Sequence, residues 1–238
     1  MDGPPPHDTP RRPGLAAVVL AAGFGRRVGG PKALLLLPGA RTFLETVLAS
    51  VRAAQADDLI AVLGPWWTGV PSLPPDVRTV VNPDPDRGQV SSVRCAISAI
   101  GEPGGVALLV APVDHPLVLP VTFAAVAAAH RAAPGAIVVA THAGRRGHPV
   151  VFPAALVPDL LGPAATEGGA RALLRAHPDR VVEVACDDAW VTRDVDTAED
   201  YRRTTADAGA TADGAAAEGP TGESRRTETP SRAPGARR

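Results

Sequence analysis

Four glycines, two arginines and the chain's only lysine fall within ten residues, Gly23-Phe24-Gly25-Arg26-Arg27-Val28-Gly29-Gly30-Pro31-Lys32. Every other basic residue among the 24 is arginine. A glycine-rich loop exposes backbone N–H groups that together form a nest for an anion. Arg27 and Lys32 add positive charge, and the set suits a triphosphate. Lysine is a compact point charge on a flexible stem, whereas arginine presents a wide planar fork. A narrow phosphate slot would accept the first and not the second, which gives the lone lysine a purpose.

Two other glycine-loop chemistries fit less well. A Walker loop needs Gly-Lys-Ser/Thr, but here Gly30-Pro31-Lys32-Ala33 lacks the hydroxyl for a metal ion. A dinucleotide fingerprint finds Gly23, Gly25 and Gly29, but it also wants an acidic residue near the end of the second strand. That strand, Leu59 to Leu63, runs into Gly64-Pro65 instead.

Two carboxylates complete the chemistry. Asp114 follows the apolar run "GVALLVA" and stands between Pro112 and Pro116. An aspartate at the carboxyl end of a buried strand is well placed to hold Mg²⁺ against phosphates. A cap for the helix starting at Pro120 would be too distant at six residues. His115 beside it could be a ligand, a base or a packed core residue. Further on, "DDAWVTRDVDTAEDY" offers Asp196 as second metal ligand, with Asp194 as competitor on the same face of an expected strand. Asp196 or Thr197 also suits a helix cap.

These residues need elements to position them, and apolar patterning supplies a βα rhythm. "LAAVVLAA" (15–22) reads as a buried strand, and "TFLETVLASVRAA" (42–54) as a helix opened by a Thr42/Glu45 capping box. "LIAVLG", "VRTVV", "GVALLVA", "AIVVAT" and "VVEV" read as strands. "VSSVRCAISAI", "PVTFAAVAAAHRAA" and "ARALLRAH" read as helices. The alternation predicts a single open, mostly parallel twisted sheet flanked by helices, with ligands at the carboxyl ends of the strands.

Composition sets the outer limits. The 238 residues are 45% hydrophobic, enough for a real core. Net charge is -1 and aromatic content 3%, which argues against nucleic-acid binding. Two cysteines make no disulfide framework. There is no secretory h-region and no apolar run of membrane-spanning length, so a soluble cytoplasmic protein is expected. Residues 1–13 are Pro-rich, and residues 206–238 are Ala, Gly, Pro, Thr and charge. Both are expected to be disordered, which leaves one domain over 14–205.

At the opening loop the chain resembles a known family. "LAAGFGRRVGGPK" is similar to the signature L-A-A-G-x-S-x-R-M-G-x-x-K of MobA/MocA-like nucleotidyltransferases, which attach a nucleotide to molybdopterin. Leu20, Ala21, Ala22, Gly23, Arg27, Gly29 and Lys32 match; Gly25 replaces serine and Val28 replaces methionine. Asp114-His115-Pro116 matches the family's D-x-P motif, and Asp196 falls in a segment resembling D-I-D-T-P-E-D. The resemblance implies a Rossmann-like nucleotidyltransferase fold. It further implies that Lys32 reaches the nucleotide phosphates and that Gly88 and Ser92 approach the base. "GRRGHPVVF" (144–152) then resembles the family's G-H-P turn before a strand, with Gly147, His148 and Pro149 matching on the acceptor side, where Arg145 or Arg146 would meet an anionic group. "TEGGARALLRAH" resembles the family's G-A-R helix start. The adjacent Trp66 and Trp67 fit either an exposed apolar patch for a partner or packing against the sheet.

The expected activity is Mg²⁺-dependent transfer of a nucleoside monophosphate from a triphosphate to a molybdopterin-type acceptor, releasing pyrophosphate. Guanylyl-transferring members usually read L-A-G-G at the first strand's end and cytidylyl-transferring relatives L-A-A-G. Ala22 therefore favours CTP over GTP. Two other classes stay open: an NAD(P)-dependent reductase using Gly23, Gly25 and Gly29, and a non-catalytic nucleotide-binding module.

Overall fold

β1 (Gly14–Ala21) is apolar at almost every position because the sheet has helices on both sides. Its odd-numbered residues Ala17, Val19 and Ala21 join one buried layer, and its even-numbered Ala16, Val18 and Leu20 join the other. A strand covered on both faces reads as a continuous apolar run rather than an alternating one. The computed structural model describes residues 14–67, 73–101, 105–163, 165 and 169–217.

Around β1 the sheet holds six further strands: β2 (Asp58–Leu63), β3 (Arg78–Val81), β4 (Val106–Pro112), β5 (Ile137–His142), β6 (Arg145–Phe152) and β7 (Val181–Ala185). Their order is β3-β2-β1-β4-β6-β5-β7. β6 runs antiparallel to both β4 and β5, and the other pairings are parallel. The expected fold class holds, with β6 as the exception. "GRRGHPVVF" is itself β6, and Gly147-His148-Pro149 lies inside the strand rather than in a turn before it.

The helices divide by layer. α1 (Phe43–Val51) and α3 (Pro120–Ala132) contribute Phe43, Leu44, Phe123 and Val126 to the first core layer. α2 (Gln89–Ile100) contributes Val93, Ala96 and Ile97 to the second, beside Leu156 and Leu160. The capping box of α1 is formed: Glu45 N–H donates to Thr42 Oγ1 at 3.2 Å, and Thr42 N–H donates to Glu45 Oε2 at 2.7 Å. α4 (Ala170–Ala176) and α5 (Ala198–Ala217) complete the set.

α5 departs from the expected boundary at residue 205. Ala208 packs against the first core layer, and Arg193 reaches Asp207 at 3.6 Å. The Ala- and Thr-rich composition conceals an amphipathic start, in which Tyr201 donates to Leu36 O at 2.8 Å and its ring lies 5.9 Å from Phe43. The segments expected to be disordered at 1–13 and beyond residue 217 lie outside the described residues, as do residues 166–168 of the G-A-R stretch. Among the described residues no helix is long and apolar enough to cross a membrane.

Chain order sets the place for a ligand. β1, β2 and β3 build the sheet outward on one side, and the chain then returns to add β4 on the other side of β1. Parallel neighbours β1 and β4 therefore end at the same edge of the sheet, and the loops that follow them frame a crevice where the strand order reverses.

Candidate active site

Three segments far apart in sequence meet at that crevice. Lys32, from the end of the glycine loop, places its ammonium 3.1 Å from Asp114 Oδ2 and 2.5 Å from Asp196 Oδ1. Arg27 donates to the other oxygen of Asp196 at 2.7 Å. Backbone bonds hold the three segments in place. Val113 N–H donates to Leu20 O at 3.0 Å, and Val195 N–H donates to Asp114 O at 2.9 Å.

The charges reinforce one another. Burial by itself would lower the pKa of Lys32, but Asp114 and Asp196 outweigh it and hold the ammonium above its ordinary 10.5. The hydrogen bond from Lys32, supported by Arg27, keeps Asp196 below its ordinary 3.8. Asp114 Oδ1 is different: it is buried without a hydrogen-bond partner. Such an orphaned carboxylate oxygen, with a second carboxylate nearby, fits a hard cation that takes its remaining ligands from phosphate and water.

Asp194 and Asp196 are not on a strand. They lie in the irregular link between the 3₁₀ turn Ala189–Thr192 and α5. Without strand alternation the two side chains go to different places: Asp196 to Lys32, Asp194 to the edge of a neighbouring cavity. The cap of α5 is Thr197, whose hydroxyl accepts from Asp200 N–H at 3.2 Å while Asp200 Oδ2 accepts from Thr197 N–H at 2.9 Å. Asp196 is thus free of capping duty.

The glycine loop folds back on itself. Gly25 O accepts from Val28 N–H at 3.0 Å and from Gly30 N–H at 3.2 Å. Gly25 has φ 59°, and a Cβ there would lie 1.9 Å from Gly30 O. This loop conformation excludes a serine at position 25. Gly23 is exposed at the loop's start, while Ala21 and Ala22 are buried at the strand end. Trp66 supports that end, donating from Nε1 to Ala22 O at 3.0 Å, and it packs with Trp67 against the first core layer. This gives the tryptophan pair a role that the sequence left open. Neighbouring Thr68 and Gly69 lie outside the described residues.

Gly88 and Ser92 separate. Gly88, with φ 87°, lines the large cavity on the far side of Asp114. Ser92 is buried, and its hydroxyl accepts from Asn82 Nδ2 at 3.0 Å, so it faces the interior and not a base. Asn82 went unnoticed in the sequence. It also donates to Ser91 Oγ at 2.8 Å and accepts from Asp84 N–H at 3.0 Å, tying the 84–88 loop to the start of α2. An asparagine just before the turn residues Pro83 and Asp84 was the available signal.

The cavity measures about 750 Å³. Leu20, Val110, Val150 and Phe152 contribute to its apolar floor, while Arg87, Arg145, Arg146, Arg171 and Arg175 stand on its rim. Arg146 is engaged with Glu183 at 2.7 Å. Asp114 and His148 line the cavity where it meets the Lys32 cluster. Burial, with His115 and Arg171 nearby, pushes His148 down to about 3, so the ring is neutral. His115 lies 5.1 Å from that ring, centroid to centroid, and its Nδ1 is 3.2 Å from Trp190 O. Gly147 allows this packing, since a Cβ would lie 1.9 Å from Val191 O. Asp188, also missed in the sequence, anchors the 3₁₀ turn by accepting from Trp190 N–H at 3.0 Å, Leu119 N–H at 2.9 Å and Thr122 Oγ1 at 2.7 Å.

The sequence and the fold have clear counterparts among known proteins. Nicotine blue oxidoreductase from Paenarthrobacter nicotinovorans is 35% identical over 202 residues, covering 80% of this chain and 96% of its own. A probable molybdenum cofactor guanylyltransferase from Rhodopirellula baltica is 33% identical over 112 residues, 47% of this chain and 52% of its own. The manganese complex of Rv0371c from Mycobacterium tuberculosis H37Rv superposes with a TM-score of 0.65 at 29% identity, covering 81% of this chain and 98% of that one. The MobA-like NTP transferase domain matches residues 17–195, from within β1 to the residue before Asp196, and the chain belongs to that family.

Proposed function

We propose that the protein is a divalent-metal-dependent nucleotidyltransferase that moves CMP from CTP to an anionic acceptor of the molybdopterin class. The observation that carries the reading is the meeting of Lys32 with Asp114 and Asp196 at the β1/β4 crevice. Asp114 and Asp196 would hold the cation, and manganese in the Rv0371c complex supports a site of this kind. When bound, the cation neutralises charge on the phosphates.

The chain's own residues do the rest by positioning. Lys32 and Arg27 turn from the carboxylates to the triphosphate and fix its α-phosphorus at the mouth of the cavity. The rim arginines hold the anionic acceptor, whose apolar body rests on the floor formed by Val110, Val150 and Phe152. An acceptor phosphate oxygen bonds to the α-phosphorus, the α–β bridge breaks, and pyrophosphate leaves with its charge met by Lys32 and Arg27. Neutral His148 adds no charge to repel or trap the acceptor.

CTP is the proposed donor because Ala22 takes the place where guanylyl-transferring members carry glycine. Ala22 is only 3% exposed and packs in the second core layer, so its methyl would act indirectly, from behind the cleft. A methyl in direct contact with a substrate is worth about 10- to 200-fold in discrimination, and one acting from behind the cleft is worth less. Pyrophosphate release with each triphosphate and molybdenum cofactor tests the reading. CTP-dependent release is expected; absence of release with every triphosphate tried overturns it, and a GTP preference overturns the choice of donor.

A second reading, a reductase, draws on the oxidoreductase name of the relative from Paenarthrobacter nicotinovorans. Against it, β2 ends at Leu63 without an acidic residue to hold a ribose. Oxidation of NAD(P)H by the purified protein in the presence of a chelator would favour it.

A further inference from the structure

We propose that Lys32 occupies the place of the divalent cation in the free protein and yields it only when a nucleoside triphosphate arrives. The inference rests on the reading of Asp114 and Asp196 as the metal-holding pair.

The two carboxylates have four oxygens, and three are engaged by protein cations. Lys32 takes Asp114 Oδ2 and Asp196 Oδ1, and Arg27 takes Asp196 Oδ2. Two negative charges are met by two positive ones. A magnesium ion bonds carboxylate oxygens at about 2.0–2.1 Å and demands near-octahedral geometry. An ammonium already 2.5 and 3.1 Å from the same two carboxylates opposes it by like charge, even though Asp114 Oδ1 has no hydrogen-bond partner. Nor is there a ready alternative: among the described residues no group of three or more His, Cys, Asp or Glu side chains could hold a metal.

The triphosphate supplies what is missing. Its oxygens offer Lys32 and Arg27 new partners, and the same oxygens complete the cation's ligand set. Freed by that exchange, Asp114 and Asp196 regain the charge that attracts a divalent ion. The lysine stem suits the movement, because it swings a point charge about flexible bonds while the backbone stays in the short 3₁₀ turn Lys32–Leu34. Nucleotide and cation therefore bind with positive coupling, and by linkage each raises the other's affinity by the same factor. The chain's single lysine would then have two partners in turn, carboxylates at rest and phosphates when loaded.

Manganese binding to the full chain without nucleotide, followed by the electron paramagnetic resonance of free Mn²⁺, provides the test. Wild type should bind weakly. Lys32→Met, which keeps the stem and removes the charge, should bind at least about tenfold more tightly, because one cation no longer opposes the ion. Lys32→Arg keeps the charge and should stay weak. Adding Asp114→Asn to Lys32→Met should cancel the gain. Lys32→Ala serves the same purpose should the methionine variant fail to fold. Equal binding by wild type and Lys32→Met overturns the proposal, as does a gain that survives Asp114→Asn. A companion titration of Mn²⁺ with a non-hydrolysable triphosphate separates the two ideas. If Asp114→Asn weakens that complex while Lys32→Met gains nothing in the free protein, the metal pair stands and the placeholder falls. If neither Asp114→Asn nor Asp196→Asn affects it, the pair itself falls.

Discussion

Lys32 answers to two carboxylates at once, which gives the site a pH signature. Its pKa is raised above the ordinary 10.5, so its stabilising effect is complete below that value and is lost as pH rises through the folded-state pKa. Asp196 is lowered below its ordinary 3.8, so its effect is present above that value and is lost as pH falls through the folded-state pKa. The difference in melting temperature between wild type and Lys32→Met should be widest between about pH 5 and 9 and shrink on both sides. A difference that stays flat at both ends would mean the cluster does not stabilise through charge. Gly25 makes a second residue-scale case. Replacing it with the serine usual in the family should cost about 1–3 kcal/mol, because φ is 59° and the new Cβ meets Gly30 O. Triphosphate affinity should fall with it, as titration calorimetry and a thermal melt would show. A Gly25→Ser protein that binds more tightly would mean the loop opens freely and its fold-back bonds count for little.

At the scale of elements, the site depends on how α5 begins. Asp200 Oδ2 gathers Thr197 Oγ1 and N–H, and Asp196 N–H at 3.3 Å, and the hydrogen bond from the Thr197 hydroxyl leads in holding Asp200 down to about 2. This cap fixes the backbone that aims Asp196 at Lys32. Thr197→Ala should cost about 0.5–2 kcal/mol in a denaturant melt and weaken metal-dependent triphosphate binding along with it. A loss of stability with unchanged binding would separate the cap from the site. The capping box of α1 was legible from Thr42 and Glu45, because capping is a local exchange of hydrogen bonds three residues apart. The cap of α3 was not. Its donor groups at Leu119 and Thr122 are met by Asp188, from the other end of the domain, and no local pattern announces that partner.

The whole molecule decides where the domain ends. Cutting after residue 205 would remove the Arg193–Asp207 pair and the packing of Ala208. The truncated protein should melt lower by a few degrees, since about 1 kcal/mol shifts a chain of this size by about 2–4 °C. An unchanged melting temperature would show that α5 does no stabilising work beyond Thr205. The composition of residues 206–217 pointed the other way because alanine-rich helix and alanine-rich disorder look alike until something packs against them.

Much of this protein follows from its sequence alone. The apolar runs specify β1, β2 and β4, because a strand buried on both faces needs nothing but apolar residues. Glycine spacing with Arg27 and Lys32 marks the loop proposed to hold the triphosphate, since the backbone freedom and the charge are properties of those residues themselves. The matches at Asp114 and Asp196 identify the two carboxylates. Tertiary structure alone decides their use. It brings Lys32 onto both carboxylates, sends Ser92 inward to Asn82, places Asp194 on the cavity lining and makes Trp66 a support for Ala22. The Asn82–Ser92 bond spans ten residues, whereas the Trp66 and Lys32 contacts join segments 44 to 164 residues apart. Side-chain direction at such meetings is set by the packing of the whole sheet, which no short stretch of sequence encodes.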